Sequence, residues 1–432
     1  MHADSKVSGT RRRKNYEGGR KKKGATADNA DGADKAEDEA VWTCFVYPCY
    51  PRYPRFNFWT RGPFRGSGWR WRDARRLESQ RTGGRRKIGW SGGQSLPWRE
   101  FRGRSHPMQF TCQFHGLGLA VQADAPVLAA VQARLHEFPP LPAGERVDWH
   151  FDYVPVSGPE AHVVERPSGP SRSVMELRHA EVLYFEATRQ LYVEAPGRAR
   201  VLCDAAAGRV RVSYLATVPD QPWFLSHPLF TIPLHEVLKH QGLYMLHAAA
   251  LAERGRGLLV AGSSGAGKTT LALTLLRAGF GFLGDDTVFL QRRDTAWSAQ
   301  AFPDEIDITP QTAAFFPELQ RLPAVAAPVG RPKRAISASD VYDVLPQWHA
   351  VPAVLVFPQT LSDGASRVAP MSREEALLQL IPNVIRTEVA TSQAHLDALA
   401  GLVRQCACYR FWAGRDFAAM PALMRSLLEA AP

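Results

Sequence analysis

Two patterns of apolar and polar positions divide the chain near residue 108. After it, short apolar runs alternate with glycine, proline and aspartate. Before it, neither a two-residue nor a 3.6-residue apolar period persists. Residues 110–123 alternate loosely and predict a strand broken at Gly116 and Gly118, and residues 125–136 predict a helix with proline in its first turn. Short strands are predicted next over residues 147–154, 174–177, 182–186, 191–194, 200–203 and 210–215, a spacing that suggests an antiparallel, mainly β module. Residues 233–245 carry Leu234, Val237, Leu238 and Leu243 near helical spacing and predict an amphipathic helix. A strand, a glycine-containing turn and the start of a second strand should follow over residues 246–257, the second strand running over 257–261, then a helix over 270–277 and a strand over 279–284. Near the C-terminus, residues 351–357 predict a buried strand, 392–403 a helix and 406–412 a strand. The last helix is predicted over 417–430, with Asp416 as its N-cap. This alternation predicts an α/β module over residues 231–432, preceded by a β-rich accessory domain over 108–230.

Charge changes the picture only for the first quarter of the chain. The net charge is +11, yet residues 1–107 hold 25 Lys and Arg against 11 Asp and Glu, and the remainder is slightly acidic. The body therefore offers no composition argument for nucleic acid. Residues 1–107 contain the runs Arg11-Arg12-Arg13-Lys14 and Lys21-Lys22-Lys23, with Trp59, Trp69, Trp71, Trp90 and Trp98 further on and few Leu, Ile or Val. Such a segment predicts a disordered basic extension. Three readings of it stand side by side: a start at Met108 with translated leader before it, a plain tail, or an arm that binds single-stranded nucleic acid by phosphate contact and stacking. No apolar run reaches the ~18 residues of a membrane helix, and six cysteines in 432 residues do not make a disulfide scaffold. Cys406 and Cys408, with no second Cys/His pair nearby, suit core packing better than a metal.

The chemistry concentrates in Gly262-Ser263-Ser264-Gly265-Ala266-Gly267-Lys268-Thr269, a full G-x-x-x-x-G-K-[ST] phosphate-binding loop. An apolar strand precedes it, and a helix beginning at Thr270 and ending at Ala278-Gly279 follows. Glycines let the backbone wrap an anion, and loop amides at a helix N-terminus supply donors and a positive dipole. Lys268 should reach the β/γ-phosphates and the Thr269 hydroxyl should ligate Mg²⁺. Lys268 is one of three lysines beyond residue 107, with Lys239 and Lys333. Asp285 and Asp286 close the next strand, where ligands sit in open α/β sheets. One could hold Mg²⁺ and the other accept a proton from an attacking hydroxyl.

With His247 ahead of the loop and the Asp pair behind it, residues 247–288 resemble the catalytic core of HPr serine kinase/phosphorylase and its HPr-kinase-related group. The resemblance implies a phosphoenolpyruvate carboxykinase/HPr kinase-like ATP-binding fold. It implies Asp285 as general base on an acceptor serine, His247 as polarising partner, Lys268 on the phosphates, and Thr269 with Asp286 at Mg²⁺. The family's Glu-Ile-Arg-Gly-x-Gly signature is missing; Glu305-Ile306-Asp307-Ile308-Thr309-Pro310 stands nearest to it, which tells against phosphorolysis and HPr specificity. Glu305, Asp304 and Asp307 are rival metal ligands, and Arg331, Lys333, Arg334 and Arg386 are candidate phosphate contacts.

The expected function is thus an ATP- and Mg²⁺-dependent kinase acting on a Ser/Thr hydroxyl of a protein acceptor in the cytoplasm, without a membrane partner; nucleic acid enters only through the arm reading of residues 1–107. The alternatives are a nucleotide-binding regulator with slow ATPase activity and a small-molecule kinase. The oligomeric state stays open, with a homo-oligomer as one arrangement.

Overall fold

The computed structural model describes residues 108–432, apart from residues 178, 219–220, 304, 322–333, 345–346 and 362–363. The expectations for residues 1–107, Asp304, Arg331 and Lys333, and for the side chain of Arg334, lie outside the described residues.

The first sheet has eight strands: β1 (Met108–Phe114), β2 (Leu117–Ala123), β3 (Trp149–Val156), β4 (Arg172–Leu177), β5 (Ala180–Phe185), β6 (Gln190–Ala195), β7 (Ala199–Asp204) and β8 (Arg209–Leu215). Their spatial order is β1-β2-β3-β8-β7-β6-β5-β4. The break expected at Gly116 is a two-residue hairpin turn. His115 and Gly116 both have positive φ, +49° and +88°, as a turn matched to strand twist requires. The antiparallel expectation holds from β4 to β8 and for β1–β2 but fails in the middle, where β2–β3 and β3–β8 are parallel. A parallel pair needs a crossover, and helix α1 (Ala125–Leu135), capped by Asp124, supplies it between β2 and β3. Along β5–β8 the apolar residues alternate. Val182, Tyr184, Val193 and Val212 enter the main core, while Leu183, Phe185, Tyr192 and Leu202 form a small cluster on the other face.

Helix α2 (Gln221–Ser226) leads to α3 (Pro228–Lys239), every residue of which is buried. The single helix expected over 233–245 is therefore displaced. It starts earlier, carries Pro233 in its interior, and is followed by strand β9 (Leu243–Leu246). A proline inside a helix removes one ladder bond. Burial on all sides keeps this helix intact, its apolar residues packing into the core of the first sheet.

The second sheet contains β9, β10 (Ala248–Glu253), β11 (Arg256–Ala261), β12 (Gly281–Gly284), β13 (Val288–Arg293), β14 (Ala296–Gln300), β17 (His349–Thr360), β18 (Arg367–Pro370) and β19 (Ala407–Ala413). A two-stranded ribbon pairs β15 (Ile306–Ile308) with β16 (Arg334–Ile336). The main order is β12-β10-β11-β17-β14-β13-β9, with β19 also on β17 and β18 on β19. Both faces are covered, so the central strands read as continuous apolar runs. Leu258, Val260, Val354 and Val356 pack on the face with helices α4 (Lys268–Arg277) and α10 (Met420–Ala430). Leu259, Ala261, Leu355 and Phe357 pack on the face with α8 (Arg373–Leu380) and α9 (Val389–Gln405). Short helices α5 (Pro310–Ala314), α6 (Pro317–Gln320) and α7 (Ala338–Val341) complete the first of these layers. Cys406 and Cys408 are buried in the second, as core residues. Asp416 does not cap the last helix, which begins at Met420. Its carboxylate instead accepts from Ser366 N at 2.9 Å.

A strap over residues 383–388 joins the two sheets. Lys239 Nζ donates to Ile385 O at 3.0 Å and pairs with Glu236 at 2.9 Å, both side chains buried, while Thr387 Oγ1 donates to Glu236 at 2.9 Å. Arg172 of β4 donates to the carbonyls of Arg386 and Thr387, each at 2.9 Å. The Arg386 side chain is exposed on this strap. Burial alone would raise the Glu236 carboxyl, but its contacts with His240, Lys239 and Thr387 outweigh that and hold it below its ordinary value.

Candidate active site

Strands β11, β12, β17 and β19 all end at one edge of the second sheet, because β11 and β17, and β17 and β19, are parallel while β10 is antiparallel to both β11 and β12. Open α/β sheets bind ligands at that edge. The glycine-rich loop leaves β11 there and enters α4. Gly265 and Gly267 sit at φ +81° and +100°, in the left-handed region where a side chain would be strained. Gly267 is the N-cap of α4, which adds its dipole to the loop amides. At the other end of α4, Gly279 N bonds Leu276 O at 2.9 Å and Phe280 N bonds Leu275 O at 3.1 Å. That paired closure is the glycine-dependent helix stop expected from Ala278-Gly279.

Lys268 is buried and donates to Gly262 O at 2.9 Å and Ser263 O at 3.2 Å, so its ammonium lies over the loop. The Thr269 hydroxyl donates to Asp285 Oδ2 at 2.9 Å. Asp285 is 2% exposed and Asp286 is half-buried. Gly284 sets this turn: a Cβ there would stand 2.6 Å from Thr287 O and 2.8 Å from Phe302 O.

His247 lies just before β10, at the same edge. Its Nδ1 is 2.9 Å from the Asp286 carbonyl, which can only accept, so Nδ1 is the donor of this contact. Its backbone N donates to Asn383 Oδ1 at 2.8 Å. The structure thus brings His247, Lys268, Thr269, Asp285 and Asp286 together around one loop. Among these, Asp285 rather than Asp286 meets the Thr269 hydroxyl.

A cleft of about 390 Å³ opens on the other flank of the loop. Gly262, Ser263, Ser264, Gly265 and Ala266 line one wall; the opposite wall comes from the end of β17, from α8 and from Arg410 of β19. Sequence reading missed this wall. Its one local signal is Ser372-x-x-Glu375, a helix-start pattern: Ser372 Oγ accepts from Glu375 N at 3.1 Å, and the Glu375 carboxylate pairs with Arg410. Other candidates fall elsewhere. Glu305 lines a separate small pocket with His136 and Ser337, and Asp307 is buried in β15.

No family model matches the chain, and no curated protein matches it in sequence. Among solved structures, the HPr(Ser) kinase/phosphatase from Coxiella burnetii overlaps it at 11% identity and a TM-score of 0.22, covering 43% of this chain and 93% of that one. A TM-score that low carries no argument about fold or activity.

Proposed function

We propose that the protein is an ATP-dependent phosphotransferase that passes a γ-phosphate to a hydroxyl acceptor, a serine or threonine of a protein. The observation that supports this most is the Thr269–Asp285 hydrogen bond of 2.9 Å beside the glycine-rich loop. It joins a loop suited to polyphosphate with a buried carboxylate suited to proton transfer or metal contact.

The residues fit a magnesium nucleotide by their chemistry. The positive-φ glycines leave the loop amides open to an anion, and the Lys268 ammonium is held where it can move from loop carbonyls to phosphate oxygens. Among the described residues no group of three or more His, Cys, Asp or Glu side chains is placed to hold a metal. Mg²⁺ suits a site of that kind, since it binds through one or two protein oxygens and takes the rest from water and phosphate. Thr269, with Asp285 or Asp286, would hold it, and it would neutralise charge developing on the transferred phosphoryl group.

In this reading Lys268 and the loop amides bind and orient the phosphates, and catalysis is chiefly positioning and charge stabilisation. Asp285 accepts the proton of the attacking hydroxyl. His247 holds the backbone of the Asp pair through the Asp286 carbonyl, beside the carboxylate assigned to proton transfer. The Thr269 contact favours a second assignment, in which Asp285 serves the metal side.

The test incubates full-length protein, with Lys268→Ala beside it, in desalted lysate of the source cells with γ-labelled ATP. A discrete labelled protein that is missing with Lys268→Ala is the expected result. Acceptor-dependent ADP release with no labelled protein would point to a small molecule instead. ATP bound with neither label nor ADP release would make the protein a nucleotide sensor.

A further inference from the structure

We infer that the 390 Å³ cleft beside the glycine-rich loop seats the nucleoside half of a nucleoside triphosphate, with Arg410 and Glu375 as the residues that recognise it. The inference rests on the phosphotransferase reading and gives the bound nucleotide a direction across the sheet.

Strand order carries the first part of the argument. From β11, where the loop begins, β10 and β12 lie on one side and β17 and β19 on the other. His247, Asp285 and Asp286 belong to the β10–β12 side, and Asp285 is tied to Thr269 there. A phosphate chain held by the loop therefore points its reacting end at β12. Its other end leaves toward β17 and β19, where the cleft lies.

Charge carries the second part. The far wall holds a carboxylate, Glu375, fixed at the start of α8 by the Ser372 cap and paired with Arg410. A carboxylate is a poor neighbour for a polyphosphate but a good acceptor for ribose hydroxyls or an exocyclic amine. The Arg410 guanidinium lies 5.7 Å from the Trp412 ring centroid, and such planar cations also stack on nucleobases. Both side chains of the pair keep over a third of their surface open, 37% for Arg410 and 39% for Glu375, so a ligand can reach them. Gln379 and Met371 supply an amide with donor and acceptor and a polarisable apolar surface on the same wall. The wall is polar and mixed in charge, as a nucleoside needs.

The test compares affinities of ATP and inorganic tripolyphosphate for full-length protein at fixed Mg²⁺. Wild type should bind ATP at least roughly tenfold more tightly than tripolyphosphate, the loss of one charge-assisted contact being worth about that factor. Arg410→Ala and Glu375→Gln should each weaken ATP by about tenfold and leave tripolyphosphate within about twofold. Gln379→Ala, an exposed helix position that should not disturb folding, is expected to move ATP affinity in the same sense. Lys268→Ala should weaken both ligands. Equal wild-type affinity for the two ligands, or parallel loss of both in Arg410→Ala, would overturn the nucleoside seat and leave the phosphate loop standing. Failure of wild type to bind either ligand would overturn both readings.

Discussion

In the phosphotransferase reading Asp285, bonded to Thr269, has two assignments that a single isosteric change separates. If it takes the acceptor's proton, Asp285→Asn should lower turnover by at least ~10²-fold with nucleotide affinity and Mg²⁺ requirement unchanged. If it serves the metal through Thr269, the same variant should need more Mg²⁺ for half-maximal rate. A magnesium titration of the rate for both proteins decides between them. The residues of the loop were legible in the sequence because their chemistry is local: eight consecutive positions fix a turn, a cation and a hydroxyl. Asn383, which holds the His247 backbone, and Arg410 with Glu375 were not legible. Each comes from a segment far along the chain and reaches the site only through sheet order and helix packing.

Elements were readable where one face or one signal dominates. The hairpin of β10 and β11, helix α4 and the buried strand β17 follow from apolar runs and glycine turns. Helix α3 was misplaced because Pro233 resembles a helix start, and the apolar spacing runs on into β9. In α9, Gly401 makes the opposite point. Glycine in a helix interior ordinarily costs about 1 kcal/mol relative to alanine, which makes its presence a sign of close packing. Here a Cβ would stand 2.0 Å from the Trp297 indole nitrogen, which is itself largely buried. Gly401→Ala is therefore expected to lower stability by about 1–3 kcal/mol in spite of its better helix propensity. A denaturant melt in which the variant is more stable than wild type would show that α9 can move aside.

The whole molecule carries several histidines that stay neutral inside it. Burial is the largest cause in each case: His115 and His395 are pushed down to about 4 and His235 to about 3. For such groups the unfolded chain takes up protons that the folded protein refuses. Their contribution is complete above the ordinary imidazole value of about 6.5 and shrinks as pH falls toward the folded values. The His395 shift corresponds to something on the order of 3 kcal/mol. Melting temperature should fall steadily from pH 6.5 to about 4. His395→Gln, which keeps a donor for Met245 O, should flatten that slope. A slope unchanged by the substitution would assign the acid sensitivity in this window to His115 and His235 instead.

The parallel pairing of β11 with β17 has a consequence for the order of events at the ribosome. Leu259, just ahead of the glycine-rich loop, finds its partner in Leu355, and β17 in turn is flanked by β19 at Cys408. Contacts of such long sequence separation form late, after their loop-closure entropy has been met. The loop is thus translated long before the wall it works against exists. A nascent chain ending before β19 lacks Arg410 and has no complete cleft. In the phosphotransferase reading, nucleotide should therefore stabilise chains that carry β19 more than chains truncated before it, and limited proteolysis of the two with and without ATP measures the difference.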